Sequence, residues 1–196
     1  MREFVFLGHE APTDPDFPLD ALPSEAGRLD VLCRCVTAAF LRSHGIREDV
    51  RVHLVLQDDV TARFEGAELR RLNPDERSTA ALVRTALEAK ADAIGHQEAE
   101  PASGVYLGRF GFETVLDRVD GPLVQLHEEG TPLVETDPPS DPTFVLSDHR
   151  DCTDEEADLL DGVADVRLRV GPERLHADHA VSVVHNWLDT DGYTLY

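Results

Sequence analysis

Lysine is almost missing from this chain of 196 residues, since Lys90 is its only one and arginine supplies the other basic side chains. Asp and Glu together number 39 against 18 Lys and Arg, so the net charge is −21. Such a surface either repels nucleic acid and favours basic partners, or it is an adaptation to concentrated salt, where the Debye length falls to about 3 Å at 1 M. The acidic residues are spread along the whole chain, which favours the salt interpretation. The net charge therefore says little about the ligand.

Cysteine is also scarce, with only Cys33, Cys35 and Cys152 in the chain. An odd and small number excludes a disulfide framework and is typical of free thiols. The first two are spaced C-x-C and not C-x-x-C, and no partner ligands stand near them. We expect them to be buried residues of a helix.

Long apolar runs are missing as well. No stretch approaches the roughly 18 apolar residues that a membrane-spanning helix needs. The N-terminal M-R-E-F-V-F-L-G is too short and too acidic for a signal peptide. The length and an apolar content of 41% fit one domain with a proper core. We expect a cytoplasmic protein with no membrane partner.

Several catalytic signatures are absent. The sequence contains no H-E-x-x-H and no G-x-S-x-G, and its glycines at 104, 108 and 111 do not form G-x-G-x-x-G. Ser147, Asp148 and His149 are the residue types of a catalytic triad, but the side chains of adjacent residues point apart. These absences leave a zinc protease, an α/β-hydrolase and a dinucleotide-binding enzyme without support.

Strands and helices alternate along the chain. Alternating or continuous apolar residues predict the strands, and a period of 3.6 residues predicts the helices. The pattern predicts an α/β fold with a mostly parallel sheet flanked by helices. Expected strands are 3–8, 50–57, 61–65, 105–107, 123–127, 143–146 and 166–170, and expected helices are 24–44, 73–94 (capped by Asn73), 111–119, 153–161 (capped by Thr153) and 177–189.

Three loops in the C-terminal part leave the ends of strands, after Leu126, Leu146 and Val170. Ligands of parallel sheets bind beyond the carboxyl ends of the strands, so these loops would form a site if the strands are neighbours. Gly171 and Pro172 remove a side chain and an N–H group where the chain leaves its strand. Apolar walls and the lack of a lysine or glycine-rich cradle favour a flat, apolar cofactor over a polyphosphate. Leu126, Leu146, Val170 and Leu175 would supply those walls.

A metal site is a competing interpretation of the turn that follows. His176, Asp178 and His179 lie within four residues, and His185 lies further along the same predicted helix. The alternative is an ordinary helix start with Asp178 near the positive end of the helix dipole. We favour the second interpretation and expect no metal.

Two motifs of the C-terminal part resemble the last two motifs of the SPOUT methyltransferases. They are F-V-L-S-D-H (144–149) and R-V-G-P-E-R-L-H-A-D-H-A-V-S-V-V-H-N-W-L-D (169–189). More narrowly, the chain resembles the archaeal tRNA pseudouridine N1-methyltransferases (TrmY type). G-H-E-A-P-T-D-P-D-F (8–17), A-G-R-L-D-V-L-C-R-C-V (26–36) and R-R-L-N-P-D-E-R-S-T-A-A-L (70–82) also resemble that family, so the likeness covers nearly the whole chain.

The resemblance implies one SPOUT domain over 1–196, with an RNA-facing half over about 1–120 and a knotted cofactor-binding half over about 121–196. It implies a C-terminal trefoil knot, S-adenosylmethionine as cofactor, and a homodimer in which the helix with Val181, Val184 and Leu188 takes part. Two positions depart from the family pattern as we align it, because Ser147 replaces a glycine and Ala180 replaces a cysteine. The implied cofactor residues are Leu126, Leu146, Ser147, Asp148, Val170, Gly171, Pro172, Leu175 and Ala180.

The implied substrate is pseudouridine 54 in the T arm of tRNA, with no role for DNA. Methylation at N1 requires a proton acceptor, for which Asp30 is the candidate, and Arg28 and Arg34 would hold phosphate or base. A second arginine cluster would be Arg63, Arg70, Arg71 and Arg77.

Three alternatives remain open beside this reading. The chain could be a ribosomal-RNA pseudouridine N1-methyltransferase of the same superfamily, or a catalytically silent RNA-binding dimer. A metal-dependent hydrolase built on His176, Asp178 and His179 ranks last.

Overall fold

The computed structural model describes residues 1–70 and 72–196. Its strands are β1 (Arg2–Gly8), β2 (Leu41–Arg42), β3 (Gly45–Ile46), β4 (Val50–Leu56), β5 (Val60–Glu65), β6 (Ala99–Ala102), β7 (Val105–Gly108), β8 (Leu123–Pro132), β9 (Thr143–Ser147) and β10 (Val166–Arg169). Its α-helices are α1 (Leu22–Glu25), α2 (Leu29–Phe40), α3 (Glu76–Glu88), α4 (Phe112–Leu116), α5 (Asp154–Val163) and α6 (Ala177–Asp189), and a 3-10 turn spans Leu133–Glu135.

Eight of the strands form one sheet in the order β10-β8-β9-β1-β4-β5-β7-β6. The five strands from β10 to β4 run parallel to one another. The three strands from β5 to β6 continue the sheet in antiparallel pairing. The α/β fold with a mostly parallel sheet is confirmed, and the trefoil knot implied by the resemblance stays a prediction.

Strand β1 lies in the middle of the sheet, and its side chains alternate between the two faces. Phe4 and Phe6 join the core on the face covered by α2, α3 and α6, whereas Val5 and Leu7 join the core under α4 and α5. Because both faces are covered, the strand is a nearly continuous apolar run. Phe4 stands opposite Val52 on one side and Phe144 on the other, so β1 joins the N-terminal and C-terminal strands.

Helix α6 has the bounds that the sequence predicts. Val181, Val184 and Trp187 on it are fully buried within the chain, and His185 contacts the Ala39 carbonyl at the end of α2, 3.0 Å away. Val181 and Val184 pack in the core of their own chain, and the part of this helix in a homodimer stays a prediction. Leu188 is half-buried.

The predicted helix over 24–44 is interrupted in the structure. Gly27 and Arg28 adopt left-handed conformations, with φ of 51° and 60°, and separate α1 from α2. A Cβ atom at Gly27 would overlap the Glu10 carbonyl, so a glycine is needed where this turn meets the loop after β1. The helix also ends earlier than predicted, at Phe40, because β2 and β3 form a short hairpin there.

The predicted helix over 73–94 is shorter as well. Its N-cap is Asp75 and not Asn73, because the Asp75 carboxylate accepts a hydrogen bond from the Ser78 backbone N–H at 2.7 Å. The helix ends at Glu88 and not near residue 94. Strands β2, β3 and β6 were not predicted, and β8 extends five residues beyond the predicted strand.

Helices long and apolar enough to cross a bilayer are not found among residues 1–70 and 72–196.

Candidate active site

The three loops expected to form a site do lie side by side. Strands β10, β8 and β9 are consecutive in the sheet and parallel, so their carboxyl ends meet at one edge. Arg174 ties the loops together, since its guanidinium pairs with Glu128 of β8 and lies 3.1 Å from Asp151, which follows β9. The sequence reasoning missed Arg174. The one indication in the sequence was that Arg174 directly precedes Leu175, a predicted wall residue.

Strand β8 bends away from its neighbour at this edge. Gln125 stands opposite Arg167, but the next residue of β10, Leu168, stands opposite Thr131. Residues 126–130 therefore bulge out of the ladder. A Cβ atom at Gly130 would lie 2.5 Å from the Leu168 carbonyl carbon, so the chain needs a glycine to rejoin the sheet. The bulge places Leu126 and Glu128 among the loops.

The residues predicted to form apolar walls lie in or against the core, except for Leu175. Leu146 and Ala180 are buried, and Leu126 and Val170 are half-buried against the same core cluster. Leu175 is 42% exposed, a large apolar side chain with little cover. An apolar surface left partly open at the edge of a sheet suits an apolar ligand. Ala180, which replaces a cysteine of the family pattern, is buried at its position.

The turn after β9 is held by its own side chains. The Asp148 carboxylate accepts a hydrogen bond from the Arg150 backbone N–H at 2.8 Å, and the Ser147 hydroxyl donates to the Arg150 carbonyl. The Asp148 side chain is only 1% exposed, and its oxygens accept hydrogen bonds from the backbone N–H groups of His9 and Arg150. Asp148 therefore shapes the turn.

A residue that the sequence reasoning missed completes this turn. The backbone N–H of His9, just beyond β1, donates to Asp148 Oδ2 at 2.9 Å. The His9 ring lies between two carboxylates, with Nδ1 3.0 Å from Asp148 Oδ1 and Nε2 2.9 Å from Glu156 Oε2. Burial lowers the pKa of His9, but the hydrogen bonds to Glu156 and Asp148 outweigh it and raise the pKa above its ordinary value. Its position directly after a buried strand was the one signal in the sequence.

The predicted catalytic residues come together at the start of α2. Asp30 is 3% exposed and accepts hydrogen bonds from Arg28 Nε at 3.0 Å and Arg28 Nη2 at 3.2 Å. Arg34 Nη1 donates to the same carboxylate from one turn further on, at 2.9 Å. Helix geometry alone would place the two arginines on different sides. They meet because Arg28 precedes the helix and has a left-handed backbone.

The charge of Asp30 is stabilised by these contacts. Burial raises the pKa of its carboxyl group, but the hydrogen bonds from Arg28 and Arg34 outweigh burial and hold the pKa below its ordinary value. Asp30 is therefore an anion at neutral pH, and three of its roughly four acceptor positions are occupied by arginine N–H groups.

Arg34 connects this cluster to the C-terminal part. It also pairs with Glu76 of α3 at 2.9 Å and lies 3.6 Å from Asp178 in the first turn of α6. Asp178 Oδ1 is buried without a hydrogen-bond partner among the described residues. The expected RNA-facing residues and the helix that follows the expected cofactor loop are thus direct neighbours.

Arg63 lies apart from the other described residues of the second predicted arginine cluster. Arg63 projects from the opposite face of the sheet, where it pairs with Glu98 at 2.7 Å and stacks on Tyr106. Arg70 donates to backbone carbonyls, and Arg77 pairs with Asp20. Arg71 lies outside the described residues.

A cavity of about 220 Å³ lies on that opposite face. Phe110 and Val115 give it an apolar side. Its charged side is largely paired, since Arg51 and Arg63 share Glu65, and Arg51 and His53 contact the buried Glu3. The cavity is thus part of an ion-pair network across the strands, separate from the candidate site.

The metal interpretation gains no support. Within the described ranges, no group of three or more His, Cys, Asp or Glu side chains could hold a metal ion. The rings of His176 and His179 are 6.0 Å apart, edge to face. His185 is buried, and burial lowers its pKa to about 3, so it is a neutral structural side chain.

Comparisons with known proteins bear on the same residues. A family model described as "Putative SAM-dependent RNA methyltransferase" matches residues 1–193. Relatives named tRNA (pseudouridine(54)-N(1))-methyltransferase are 63% identical in Haloferax volcanii and 62% in Haloarcula marismortui, with 100% of each chain covered. A relative of that name in Thermococcus kodakarensis is 43% identical over 96% of this chain and 99% of its own.

A solved structure shares the fold. Nep1 of Archaeoglobus fulgidus, bound to S-adenosylhomocysteine, superposes with a TM-score of 0.68 over 96% of this chain and 97% of its own, at 15% identity. The family predicted from the sequence motifs is confirmed by the match over residues 1–193 and by the full-length relatives. The chain belongs to the family of S-adenosylmethionine-dependent RNA methyltransferases.

Proposed function

We propose that this chain transfers the methyl group of S-adenosylmethionine to N1 of pseudouridine 54 in tRNA. The observation that carries the proposal is the full-length likeness, at 58% to 63% identity, to five relatives that bear the name of this activity. The geometry supports it independently, because an apolar cleft edge and a pair of arginines lie next to each other.

The residues at the strand ends fit the cofactor. Leu126, Leu146, Val170 and Leu175 offer an apolar surface, and the backbone of the turn at Ser147 and Asp148 offers polar groups beside it. A Cβ atom at Gly171 would meet only the Glu173 carbonyl, at 3.9 Å, so the loop after β10 leaves open space. When bound there, S-adenosylmethionine supplies an electrophilic methyl group. Pro172 stiffens the loop beside it, and Ala180 keeps the wall smooth.

Arg28 and Arg34 would bind the RNA. Their side chains are 38% and 33% exposed although Asp30 holds both, so each can reach a phosphate or a base edge. Asp30 keeps them in place and has one acceptor position left for the N1–H group of pseudouridine. Because its pKa is lowered, Asp30 is a weak base that accepts a hydrogen bond from N1–H before the reaction. The N1 proton would pass through Asp30 to solvent as the bond from N1 to the methyl carbon forms and the bond from that carbon to sulfur breaks. Alignment of N1 with the methyl donor would then supply most of the rate increase.

An acidic protein can still bind RNA through such a local cluster, because a T loop is recognised by a displaced base and a few phosphate contacts. Recognition of the T arm, a homodimer and a cytoplasmic location belong to this proposal. A partner subunit could cover exposed or half-buried apolar side chains of the C-terminal part, which include Val134, Val163, Leu175, Leu188 and Leu195.

The decisive experiment uses two T-arm stem-loops that differ only at position 54. With pseudouridine there, incubation with the protein and S-adenosylmethionine should yield N1-methylpseudouridine, detected by mass spectrometry of the digested RNA. With uridine there, N1 carries the sugar and has no proton to lose, so no methyl group should be transferred. A ribosomal-RNA fragment containing pseudouridine serves as a second acceptor.

Each outcome separates the alternatives. Methylation of the ribosomal fragment alone would replace the tRNA assignment. Binding of both RNAs without transfer would make the chain a silent RNA-binding protein. Light scattering on the same sample gives the molar mass in solution, and a monomer would contradict the homodimer.

A further inference from the structure

The environment of His9 determines its protonation state. Each ring nitrogen lies within hydrogen-bond distance of a carboxylate oxygen, at 3.0 Å from Asp148 and 2.9 Å from Glu156. A neutral imidazole carries only one N–H group and would present a lone pair to one of the two carboxylates. The geometry therefore requires a proton on both nitrogens. His9 is an imidazolium that donates two charge-assisted hydrogen bonds.

The two carboxylates belong to different elements at the edge of the sheet. Asp148 directly follows β9, and its backbone N–H donates to the Leu7 carbonyl of β1 at 3.0 Å. Glu156 lies in the first turn of α5, where the same oxygen that faces His9 also accepts from the Thr153 backbone N–H at 2.7 Å. One ring thus links the end of β1, the turn after β9 and the start of α5.

We propose that His9 is a positioning residue that holds the turn at Ser147 and Asp148 in its cofactor-binding shape through an imidazolium clamp on Asp148 and Glu156. The inference rests on the proposed place of the cofactor. His9 would act through Asp148 and need not touch the ligand itself. The raised pKa of His9 agrees with a clamp that is charged at neutral pH.

Other charged groups surround the clamp. Glu10, next in the chain, pairs with Arg150 and lies 3.5 Å from His149. His149 Nδ1 is also 3.5 Å from Asp148 Oδ1. Arg28, the nearest cation of the α1–α2 turn, acts electrostatically on Asp148 as well. These side chains are more exposed than His9, so solvent screens them more strongly.

The clamp predicts that cofactor binding depends on pH. Below the raised pKa of His9 both hydrogen bonds are intact. As the pH rises through that pKa, the ring loses a proton, one carboxylate faces a lone pair, and the turn loosens. Affinity for the cofactor should therefore fall on the alkaline side, while the step at N1 of the RNA is affected only through the cofactor.

The test compares wild type with His9→Gln and with His44→Gln as the matched control, because His44 is exposed in the β2–β3 hairpin. S-adenosylhomocysteine serves as the probe in calorimetric titrations from pH 5.5 to 8.5, and circular dichroism verifies the fold. We expect His9→Gln to weaken binding about tenfold at pH 6 and to remove most of the pH dependence. His44→Gln should follow wild type, which removes the ionisation of the probe as an explanation. At saturating S-adenosylmethionine, His9→Gln should keep a near-normal kcat.

Glu156→Gln gives a second measurement that does not change His9. It keeps the hydrogen-bonding capacity of the helix cap but removes one of the two charges that raise the pKa of His9. The affinity of this variant for S-adenosylhomocysteine should therefore begin to fall at a lower pH than the affinity of wild type. Equal affinity of His9→Gln and wild type at every pH, or an unmoved midpoint in Glu156→Gln, would overturn the proposal. Failure of wild type to bind the probe would instead overturn the proposed function.

Discussion

Asp30 and Glu65 are two buried carboxylates that each sit between two arginines, on opposite faces of one sheet. Asp30 binds Arg28 and Arg34 at the start of α2, and Glu65 binds Arg51 and Arg63, 2.7 and 3.2 Å away, across β4 and β5. The local chemistry is nearly the same. What differs is how the arginines are anchored. Arg51, Arg63 and Arg34 each have a further carboxylate partner, whereas Arg28 pairs with Asp30 alone among the described residues.

The arginines around Glu65 are therefore held at both ends, whereas the Arg28 side chain is held at one. The arginines of Glu65 project from paired strands, whose register fixes both ends of each contact. Arg28 comes from a turn with a left-handed backbone, a conformation that costs about 1 kcal/mol or more and is common at functional sites. Glu65 and its two arginines stabilise the sheet, whereas in the proposed function Arg28 and Arg34 would bind the RNA.

Two histidines repeat the contrast. His9 has two carboxylate partners, which keep it charged. His53 is fully buried and has one, Glu3, 2.9 Å from its Nε2. Burial lowers the pKa of His53 more than Glu3 raises it, so His53 is neutral and donates to an ionised Glu3. The number of carboxylates and the depth of burial thus decide which histidine carries charge.

The largest effect should come from neutralising one carboxylate of each cluster. Asp30→Asn should lower kcat on the order of 100-fold, because Arg28 and Arg34 lose the anion that orients them. Its dissociation constant for S-adenosylhomocysteine should stay within about twofold of wild type, since Asp30 is not among the cofactor residues. Glu65→Gln is the matched control and should keep kcat within about twofold. Equal losses in the two variants would erase the distinction between the clusters.

The ion-pair network around Glu3 and Glu65 should contribute to the stability of the fold. Glu3→Gln should lower the free energy of unfolding by about 2 kcal/mol, because it removes the only carboxylate that His53 contacts and one of two that Arg51 contacts. Urea unfolding followed by circular dichroism measures the change. Asp14→Asn, which breaks the exposed contact with Lys90, is the control and should change stability by less than about 0.5 kcal/mol. A change that small for Glu3→Gln as well would show that the network contributes little.

The acidic surface should matter beyond either cluster. Dilution from about 2 M to about 0.1 M salt should lower the melting temperature by roughly 5 °C, because self-repulsion of a chain with a net charge of −21 is then less screened. Asp30→Asn and Glu65→Gln should shift the melting temperature by the same amount at both salt concentrations, since both sites are buried. A melting temperature that is indifferent to salt would contradict the interpretation of the composition.

The smallest effect is the pH dependence of the two histidines. The pKa of His53 is lowered on folding, so the unfolded chain takes up a proton that the folded chain does not once the pH falls below about 6.5. Stability should then fall toward acid by at most about 1.4 kcal/mol per pH unit from this group, and His53→Gln should remove that slope. His9 has a raised pKa, so its contribution is present below about 6.5 and lost as the pH rises through its folded value. Unfolding curves from pH 5 to 8.5 would show opposite slopes, and slopes of one sign would contradict the assignment.

Some of the architecture could be predicted because it depends on neighbours within about four residues. The bounds of α6, the cap at Thr153 and the pair of Asp30 and Arg34 were predicted correctly from periodicity and spacing. The order of β10, β8 and β9 agrees with the condition under which the three loops would meet. Two of the family motifs, 26–36 and 169–189, contain the Asp30–Arg34 pair and α6.

The rest was decided by contacts between distant parts of the chain. His9 meets Asp148 across 139 residues, and Glu3 meets His53 across 50. The helix expected over 24–44 breaks at Gly27 and Arg28, where the Glu10 carbonyl leaves room only for a glycine at position 27. Local pattern determined the elements and placed Asp30 and Arg34 one turn apart. Only the tertiary structure decided which carboxylates contact His9. Those contacts depend on the order of the strands and on burial, and neither can be predicted from the local periodicity of the sequence.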